Sequence, residues 1–424
     1  MARSLADWLT HIDGVHPRAW DLGLDRVREV AQRLDVLPPA PDNVVVAGTN
    51  GKGSTSVYAE ALLLASGKSV GTTLSPHLER FNERIRIAAG PADDDEIVAA
   101  FEAIDAARGA TTLTYFEYGI LAALAVFRRR AVDATVLEVG LGGRLDAVNI
   151  VDGRVSVITS IGLDHQDYLG PDVESIAGEK AGVMRAGSPC VFGEPTVPRA
   201  IASRAAALGA ELLVAGRDFG HRRCARDAVA GTWSFWGWRG ERRVELGGLA
   251  LPSVALGNAA AALQAVLLMP GVPGEPGDWV RGARAARLPG RFERARYRGR
   301  DFVLDVAHNP HGAAFLAAQL ASLPRQARTI AVFGCLKDKD AAGIVAALDE
   351  TVDEWVIVDS GTSRGQSAAA TLDKVGKSIR AHVASDVADG LSQAVSLAAA
   401  DDRVVVLGSF DVVRRARRCV GSSP

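Results

Sequence analysis

Cysteine is scarce: four residues in a chain of 424, at positions 190, 224, 335 and 419, far apart and without a C-x-x-C pair. That spacing argues against a disulfide framework and a zinc site, and fits free thiols in a reducing cytoplasmic setting. No stretch reaches the roughly 18 uninterrupted apolar residues that a membrane-spanning helix needs. The first residues, Met1 to Asp13, carry Asp7, His11 and Asp13 where a secretory signal would be apolar, so none is expected. Neither sign of charge dominates. With 48 Lys and Arg against 50 Asp and Glu the net charge is −2, which gives no global case for nucleic acid or a lipid surface, and the Arg-rich 291–300 stretch reads as a local solvated face. There is no short repeat and no low-complexity tract.

What is present is ordinary soluble material, 48% hydrophobic and 23% charged, in a chain long enough for two domains. Short apolar runs at Val44–Ala47, Ala134–Val139, Val155–Ile161 and Cys190–Phe192 alternate with helix-like stretches, the pattern of a parallel sheet covered by helices. Asp93-Asp94-Asp95-Glu96 ahead of Ile97-Val98-Ala99-Ala100-Phe101 marks a helix start, acids at the positive end of the dipole. Between Phe219 and Leu246, Trp233, Phe235, Trp236 and Trp238 among Gly, Thr and Arg predict a few antiparallel strands at a sheet edge, the rings serving packing. Leu288-Pro289-Gly290-Arg291 breaks a helical pattern over 281–287 and is the predicted linker, dividing the chain into 1–287 and 288–424. Beyond it, strands at Phe302–Val306, Thr329–Phe333, Glu354–Val358 and Arg403–Leu407, with helical stretches at 311–322, 340–350 and 386–400, predict a second open α/β unit.

The most informative segment is Gly48-Thr49-Asn50-Gly51-Lys52-Gly53-Ser54, directly after Val44–Ala47 and before a helical run. Strand, glycine turn and helix start form a phosphate cradle: the backbone can approach an anion, the helix N–H groups point at it, and Lys52 adds positive charge. The usual nucleotide loop has a glycine five residues before the Gly-Lys pair and Ser or Thr after the lysine. Here Val46 and Gly53 occupy those positions. Three polar sets fall at other strand ends, where open α/β sheets place ligands. Glu138 can bind Mg²⁺ or be a buried, partnered acid; His165, in Asp164-His165-Gln166-Asp167, can coordinate metal, orient a substrate or belong to the loop. In Asp305-Val306-Ala307-His308-Asn309-Pro310, Asp305 suits a ribose or a metal-bound water, while His308 suits an anionic substrate or a cap.

Taken in order, Gly48–Ser54, Ser75-Pro76-His77-Leu78, Thr114–Glu117, Glu138–Asn149, Ser160–Gly170, Glu179-Lys180-Ala181-Gly182, Leu288–Phe292, Asp305–Pro310 and Leu336–Asp340 resemble the motifs of the folate-glutamylating enzymes of the Mur ligase family. The resemblance runs from about Asp21 to Phe410. It implies an N-terminal P-loop-like ATPase domain with a mainly parallel sheet and a small antiparallel region, a C-terminal Rossmann-like α/β domain, an active site between them and the 288–291 linker as hinge. It also implies an ATP-dependent joining of L-glutamate to dihydropteroate and to the glutamate tail of reduced folates, in a monomer.

By motif position, Thr49, Asn50, Gly51, Lys52, Gly53 and Ser54 would hold the ATP phosphates, and Asn258, Arg291 and Asp305 the rest of the nucleotide. Ser75, Glu138 and His165 would ligate Mg²⁺, and Lys180, carbamylated, would help hold a second; a monovalent cation is a further implied ligand. Leu22, Gly23 and Leu24, Thr114, Tyr115, Phe116 and Glu117, and Leu145, Asp146 and Ala147 would take the pterin, and His308 the incoming glutamate. One departure stands out: relatives often carry His-Thr after the Gly408-Ser409-Phe410 turn, and this chain has Asp411-Val412. Three rival expectations are an enzyme that only extends glutamate tails, a sister ligase acting on a cell-wall nucleotide, and an ATP-binding module without ligase activity.

Overall fold

The computed structural model describes residues 3–18, 20–224, 232–272, 275–277, 280, 286–321, 323, 327–376 and 379–421. The chain divides into two compact units, Met1–Arg287 and Leu288–Pro424. The helical pattern expected over 281–287 falls mostly outside the described residues.

The first unit is built on an eight-stranded sheet in the order β4-β3-β2-β5-β1-β6-β7-β8. Its strands are β1 (Asp42–Ala47), β2 (Val70–Thr73), β3 (Ile85–Ile87), β4 (Gly90–Pro91), β5 (Ala134–Glu138), β6 (Val155–Ile158), β7 (Cys190–Phe192) and β8 (Leu212–Val214). From β2 to β8 every pairing is parallel; β3 and β4 add an antiparallel edge. The central strands are apolar runs because helices cover both faces, as the burial of every β5 and β6 residue records. Helix Asp94–Arg108 begins at an Asp93 and Glu96 capping box, as the acidic run predicts.

The aromatic stretch departs from expectation in one respect. Its strands β9 (Gly220–Cys224), β10 (Thr232–Arg239) and β11 (Arg242–Ala250) form a separate three-stranded antiparallel sheet instead of an edge of the large one. Trp233 and Phe235 alternate inward and are fully buried, so packing is their work.

The second unit carries six strands, β12 (Glu293–Tyr297), β13 (Arg300–Leu304), β14 (Thr329–Phe333), β15 (Glu354–Val358), β16 (Ala381–Ala384) and β17 (Arg403–Leu407), in the order β12-β13-β17-β14-β15-β16. All pairings are parallel except β12 with β13. Helices Pro310–Ala321, Ala341–Ala346, Ala368–Val375, Val387–Leu397 and Phe410–Val420 complete this α/β layer structure.

Candidate active site

Register brings the ends of four strands in the first unit to one level. Thr73 of β2 lies opposite Leu137 of β5, Val46 of β1 opposite Glu138, and Ala47 opposite Ile158 of β6. The segments that follow, Ser75, Glu138, Gly48–Ser54 and Thr159–Asp164, therefore line the carboxyl edge of the sheet, where ligands of open α/β folds sit.

The glycine loop is tied to its neighbour strand. Thr49 N donates to Ser160 O at 2.8 Å, Asn50 N to Ser160 Oγ at 3.1 Å, and Gly162 N to Thr49 Oγ1 at 3.0 Å. Gly48 has φ +145°, and a Cβ there would stand 1.9 Å from Thr159 Oγ1, so only glycine fits. Gly51, at φ 86°, opens helix Lys52–Ala65 without a side-chain cap, leaving the positive end of the dipole to serve a ligand. Asn258, on the buried helix Leu256–Leu267, lies against Gly51: a Cβ there would be 2.6 Å from its Oδ1.

Two lysines converge on this loop. Lys52 Nζ donates to Gly48 O at 3.1 Å and Thr49 O at 3.2 Å, and Lys180 Nζ donates to the same Gly48 O at 2.8 Å. Lys180 arrives on helix Val173–Ala181, which is held to the Gly140–Asp146 turn by Arg144 N donating to Glu179 O at 2.8 Å. Its ammonium is buried. Burial, and then the charge of Lys52, pull its pKa down to about 7, against the opposite influence of Asp164 and Asp146. Asp146 is buried too, and burial pushes its carboxyl up to about 6 although it accepts from Leu141 N at 2.8 Å and Val148 N at 2.9 Å.

Of the expected metal ligands, Ser75 and Glu138 are joined, Ser75 N donating to Glu138 Oε2 at 2.8 Å. His165, in a left-handed conformation at φ 52°, stands beside Asp164, its Nε2 3.8 Å from Oδ2. Among the described residues no group of three or more His, Cys, Asp or Glu is arranged to hold a metal. The Ser75 hydroxyl and the buried Glu138 carboxylate suit a hard cation that fills its remaining positions with water and phosphate oxygens, as Mg²⁺ does; His165 stands on the neighbouring strand-end segment, beside Asp164.

The three stretches expected around a pterin are also brought together. Arg26 pairs with Asp21 at 2.8 Å and donates to Glu117 Oε1 at 3.1 Å, joining the Asp21–Leu24 turn to Thr114–Glu117. Leu22 and Leu24 pack on the core of this unit, and Gly23 has open space beside it. The Phe116 ring lies on Gly140, where a Cβ would be 2.5 Å from its edge, next to the turn that carries Leu145, Asp146 and Ala147. Thr114 and Glu117 form a reciprocal capping box for helix Tyr115–Arg130, so Glu117 already accepts from Thr114 N and Arg26.

In the second unit, Asp305 follows β13 and is buried. Its Oδ2 accepts from Phe292 N and its Oδ1 from Ala307 N, both at 2.8 Å. Burial raises its pKa, opposed by Arg291, these two amides and His308. The Arg291 guanidinium lies 4.9 Å from the centre of the Phe410 ring, and the His308 ring 6.3 Å from it. His308 Nδ1 is 2.9 Å from Val306 O, so that nitrogen carries the proton.

The description "Mur ligase middle domain" matches residues 46–190, and "Mur ligase, glutamate ligase domain" matches residues 290–410. The dihydrofolate synthase/folylpolyglutamate synthase of Escherichia coli (strain K12) is 44% identical over 97% of this chain and 94% of its own. The chain belongs to the Mur ligase family, in its dihydrofolate synthase/folylpolyglutamate synthase branch. It is an ATP-dependent ligase. Among solved structures, E. coli FolC in complex with DHPP and ADP superposes with a TM-score of 0.91 at 42% identity, covering 99% of this chain and 98% of that one. A bifunctional folylpolyglutamate synthase/dihydrofolate synthase with Mn, AMPPNP and L-glutamate bound gives 0.88 at 45% identity, covering 98% of both.

Within this Mur ligase, three residues of the site were not singled out from sequence. Arg26 is one of many Arg, and its partner Glu117 is remote in the chain; Phe410 was noted only as the end of a turn, and Arg291 and His308, gathered around it, are remote as well. Arg84, whose Nε donates to His77 Nδ1 at 2.8 Å, follows Ser75–Leu78 closely enough to have been grouped with that motif. A signal for the structural role of Glu117 was available: Thr-x-x-Glu before an apolar run is a capping box.

Proposed function

We propose that this ligase joins L-glutamate to 7,8-dihydropteroate, making dihydrofolate, and extends the glutamate tail of reduced folates, each time through an acyl phosphate. The observation that carries the site assignment is the convergence of Lys52 and Lys180 on the Gly48 carbonyl, at 3.1 and 2.8 Å, beside the joined pair Ser75 and Glu138. An oxygen of the substrate carboxylate attacks the γ-phosphorus of ATP, the bond to the β-phosphate oxygen breaks, and ADP leaves. The amine of glutamate then adds to the acyl carbon, and phosphate departs as the amide forms.

The first step brings anion against anion. Lys52, swung from its loop carbonyls onto the phosphates, and the loop N–H groups offset that repulsion. Mg²⁺, held by Ser75, Glu138 and His165, would neutralise phosphate charge and polarise the γ-phosphoryl group. Lys180 is assigned to a carbamate, and its amine, with a pKa of about 7, is about half neutral near pH 7, and the neutral fraction can add to CO₂. The product is anionic, which turns a lysine into an oxygen ligand for a second ion.

Asn258, Arg291 and Asp305 are assigned to the nucleotide, and His308 to the carboxylate of glutamate. Tyr115, Phe116 and Asp146, with Leu22, Leu24 and Ala147, suit a flat heterocycle bearing N–H donors. We place the reaction in the cytoplasm and in a monomer; the free thiols of Cys190, Cys335 and Cys419 accord with a reducing setting. Among the described residues no helix is long and apolar enough to cross a membrane.

ADP release from the full chain tests this reading, with L-glutamate and either dihydropteroate or tetrahydrofolate. Release with both acceptors, each dependent on glutamate, is expected. Release with tetrahydrofolate alone restricts the enzyme to tail extension, and release with neither overturns the assignment.

A further inference from the structure

Arg84 has a position, and a lack of counter-charge, that the roles above do not use. It sits immediately before β3, and its carbonyl accepts from Leu74 N at 3.1 Å, just ahead of Ser75. Because Thr73 faces both Ile85 of β3 and Leu137 of β5, Arg84 lies level with Ser75 and Glu138 at the carboxyl edge of the sheet.

The guanidinium is fixed by rings. Its carbon lies 5.5 Å from the Tyr115 ring centre and 5.8 Å from that of Phe81, and these two rings meet edge to face at 5.8 Å. Its Nε donates to His77 Nδ1 at 2.8 Å. That uses one of five donors. Among the described residues, the two terminal nitrogens make no hydrogen bond and Arg84 makes no ion pair.

The nearby carboxylates are engaged elsewhere: Glu83 accepts from Leu78, Glu79 and Arg80 N at 2.7 to 2.8 Å, and Glu138 from Ser75 N. Arg86, two residues on, shows the usual solution, with Nε and Nη2 on Glu60 at 3.1 and 3.0 Å. Burial pulls the pKa of Arg84 down, against the pull of Tyr115, Glu138 and Glu83. The side chain is part-buried, so an incoming ligand can reach its terminal nitrogens; an arginine remains charged in this setting, and a partly desolvated cation gains from a paired anion. A planar fork of free donors against two aromatic walls is suited to a carboxylate on an aromatic ring.

We propose that Arg84 binds the carboxylate the enzyme activates, pairing its two terminal nitrogens with the two oxygens of the aryl carboxylate of dihydropteroate. This rests on the folate reading of the site. Each oxygen keeps a lone pair beyond its bond to arginine, so one can attack the γ-phosphorus while the guanidinium reduces the repulsion between the two anions. Tyr115 and Phe81 hold the fork in place, and His77 fixes its rotation.

The test is an equilibrium one, made on the full chain with a non-hydrolysable ATP analogue and Mg²⁺ present. It compares the binding of pteroate with that of its decarboxylated analogue, which keeps the pterin and the aniline ring. The wild type should prefer pteroate by about 10- to 100-fold, the range for a hydrogen-bonded charge pair. Arg84→Gln should lose that preference by weakening pteroate alone, with the analogue and ATP bound as before, and Arg84→Lys should fall between. Equal weakening of both ligands, or unchanged pteroate binding in Arg84→Gln, overturns the proposal. Should Arg84→Gln not fold, wild-type protein that binds both ligands equally overturns it as well. Failure of the folate reading is distinct: the wild type would then bind neither compound and release no ADP with dihydropteroate.

Discussion

In the first unit two ammonium groups, Lys52 and Lys180, share one carbonyl oxygen, and the pKa of Lys180 is driven down to about 7 by burial and by its neighbour. In the second unit a single carboxylate, Asp305, is met by two backbone N–H groups at 2.8 Å, with Arg291 and His308 gathered around the Phe410 ring. The first arrangement is electrostatically loaded: like charges crowd a glycine loop, and an anion entering it relieves the crowding. The second is already satisfied and holds a turn in shape. Proteins place such perturbed groups where chemistry happens, so the first centre is the stronger candidate for the reacting atoms and the second for recognition.

The sharpest way to break this contrast is to remove one charge from each centre. Lys52→Ala should cut turnover by about a hundredfold or more, the scale for a preorganised charge contact. In CO₂-free buffer, where Lys180 carries no carbamate, it should leave thermal stability little changed, because Lys180 loses a repulsive neighbour while two hydrogen bonds to loop carbonyls are lost. Steady-state ADP release and a melting curve check both parts; near-normal turnover in purified protein would end the assignment. Asp305→Asn should, unlike Lys52→Ala, lower stability. One of the two amides that now meet a carboxylate oxygen would face an NH₂ group, costing about 2 kcal/mol of stability. Denaturant titration of the full chain would measure it, and a variant as stable as the wild type would show that this turn is not held by its carboxylate.

An effect of similar size should appear in the pH dependence of folding. The folded pKa of Lys180, about 7, lies below its ordinary value of 10.5, so between those limits the unfolded chain binds more protons and stability rises with pH. Asp146, raised to about 6, acts with the opposite sign but only between its ordinary 3.8 and that value, outside the window. In CO₂-free buffer, then, the wild type should gain stability from pH 7 to 9 and Lys180→Met should gain markedly less. Equal slopes would mean that the ammonium is not desolvated.

How much of this was legible in the chain follows from where the signals lie. β14, β15 and β17 were read to the residue because central parallel strands are unbroken apolar runs bounded by polar ends. β3, β4 and β12 were not read, the first two being very short and the third a charged edge strand, so that their identity depends on a partner. The glycine loop and the strand-end acids were visible because each is a local pattern. Arg84 was not: its meaning comes from Tyr115 and Glu138, which only the fold brings near. Glu117 was read as an acceptor for substrate; that it is also the partner of a helix cap was legible in Thr114 three residues earlier.

The last expectation concerns the Gly408-Ser409-Phe410 turn. Ser409 caps helix Phe410–Val420 by accepting from Val412 N at 3.2 Å, and Val412 is buried in the core of the second unit. Asp411 lies in the first helical turn and pairs with Arg414 at 2.5 Å, both about a third exposed. Its charge therefore serves the helix dipole and a short-range pair, contributions of about 0.5 kcal/mol each at most in such a setting. Asp411→Asn should lower stability by roughly that amount and leave the KM for glutamate unchanged, since Phe410, and not Asp411, is the residue of this turn beside Arg291 and His308. A several-fold change in that KM with unaltered stability would mean that the acidic side chain faces the amino acid, making the second centre as charge-dependent as the first.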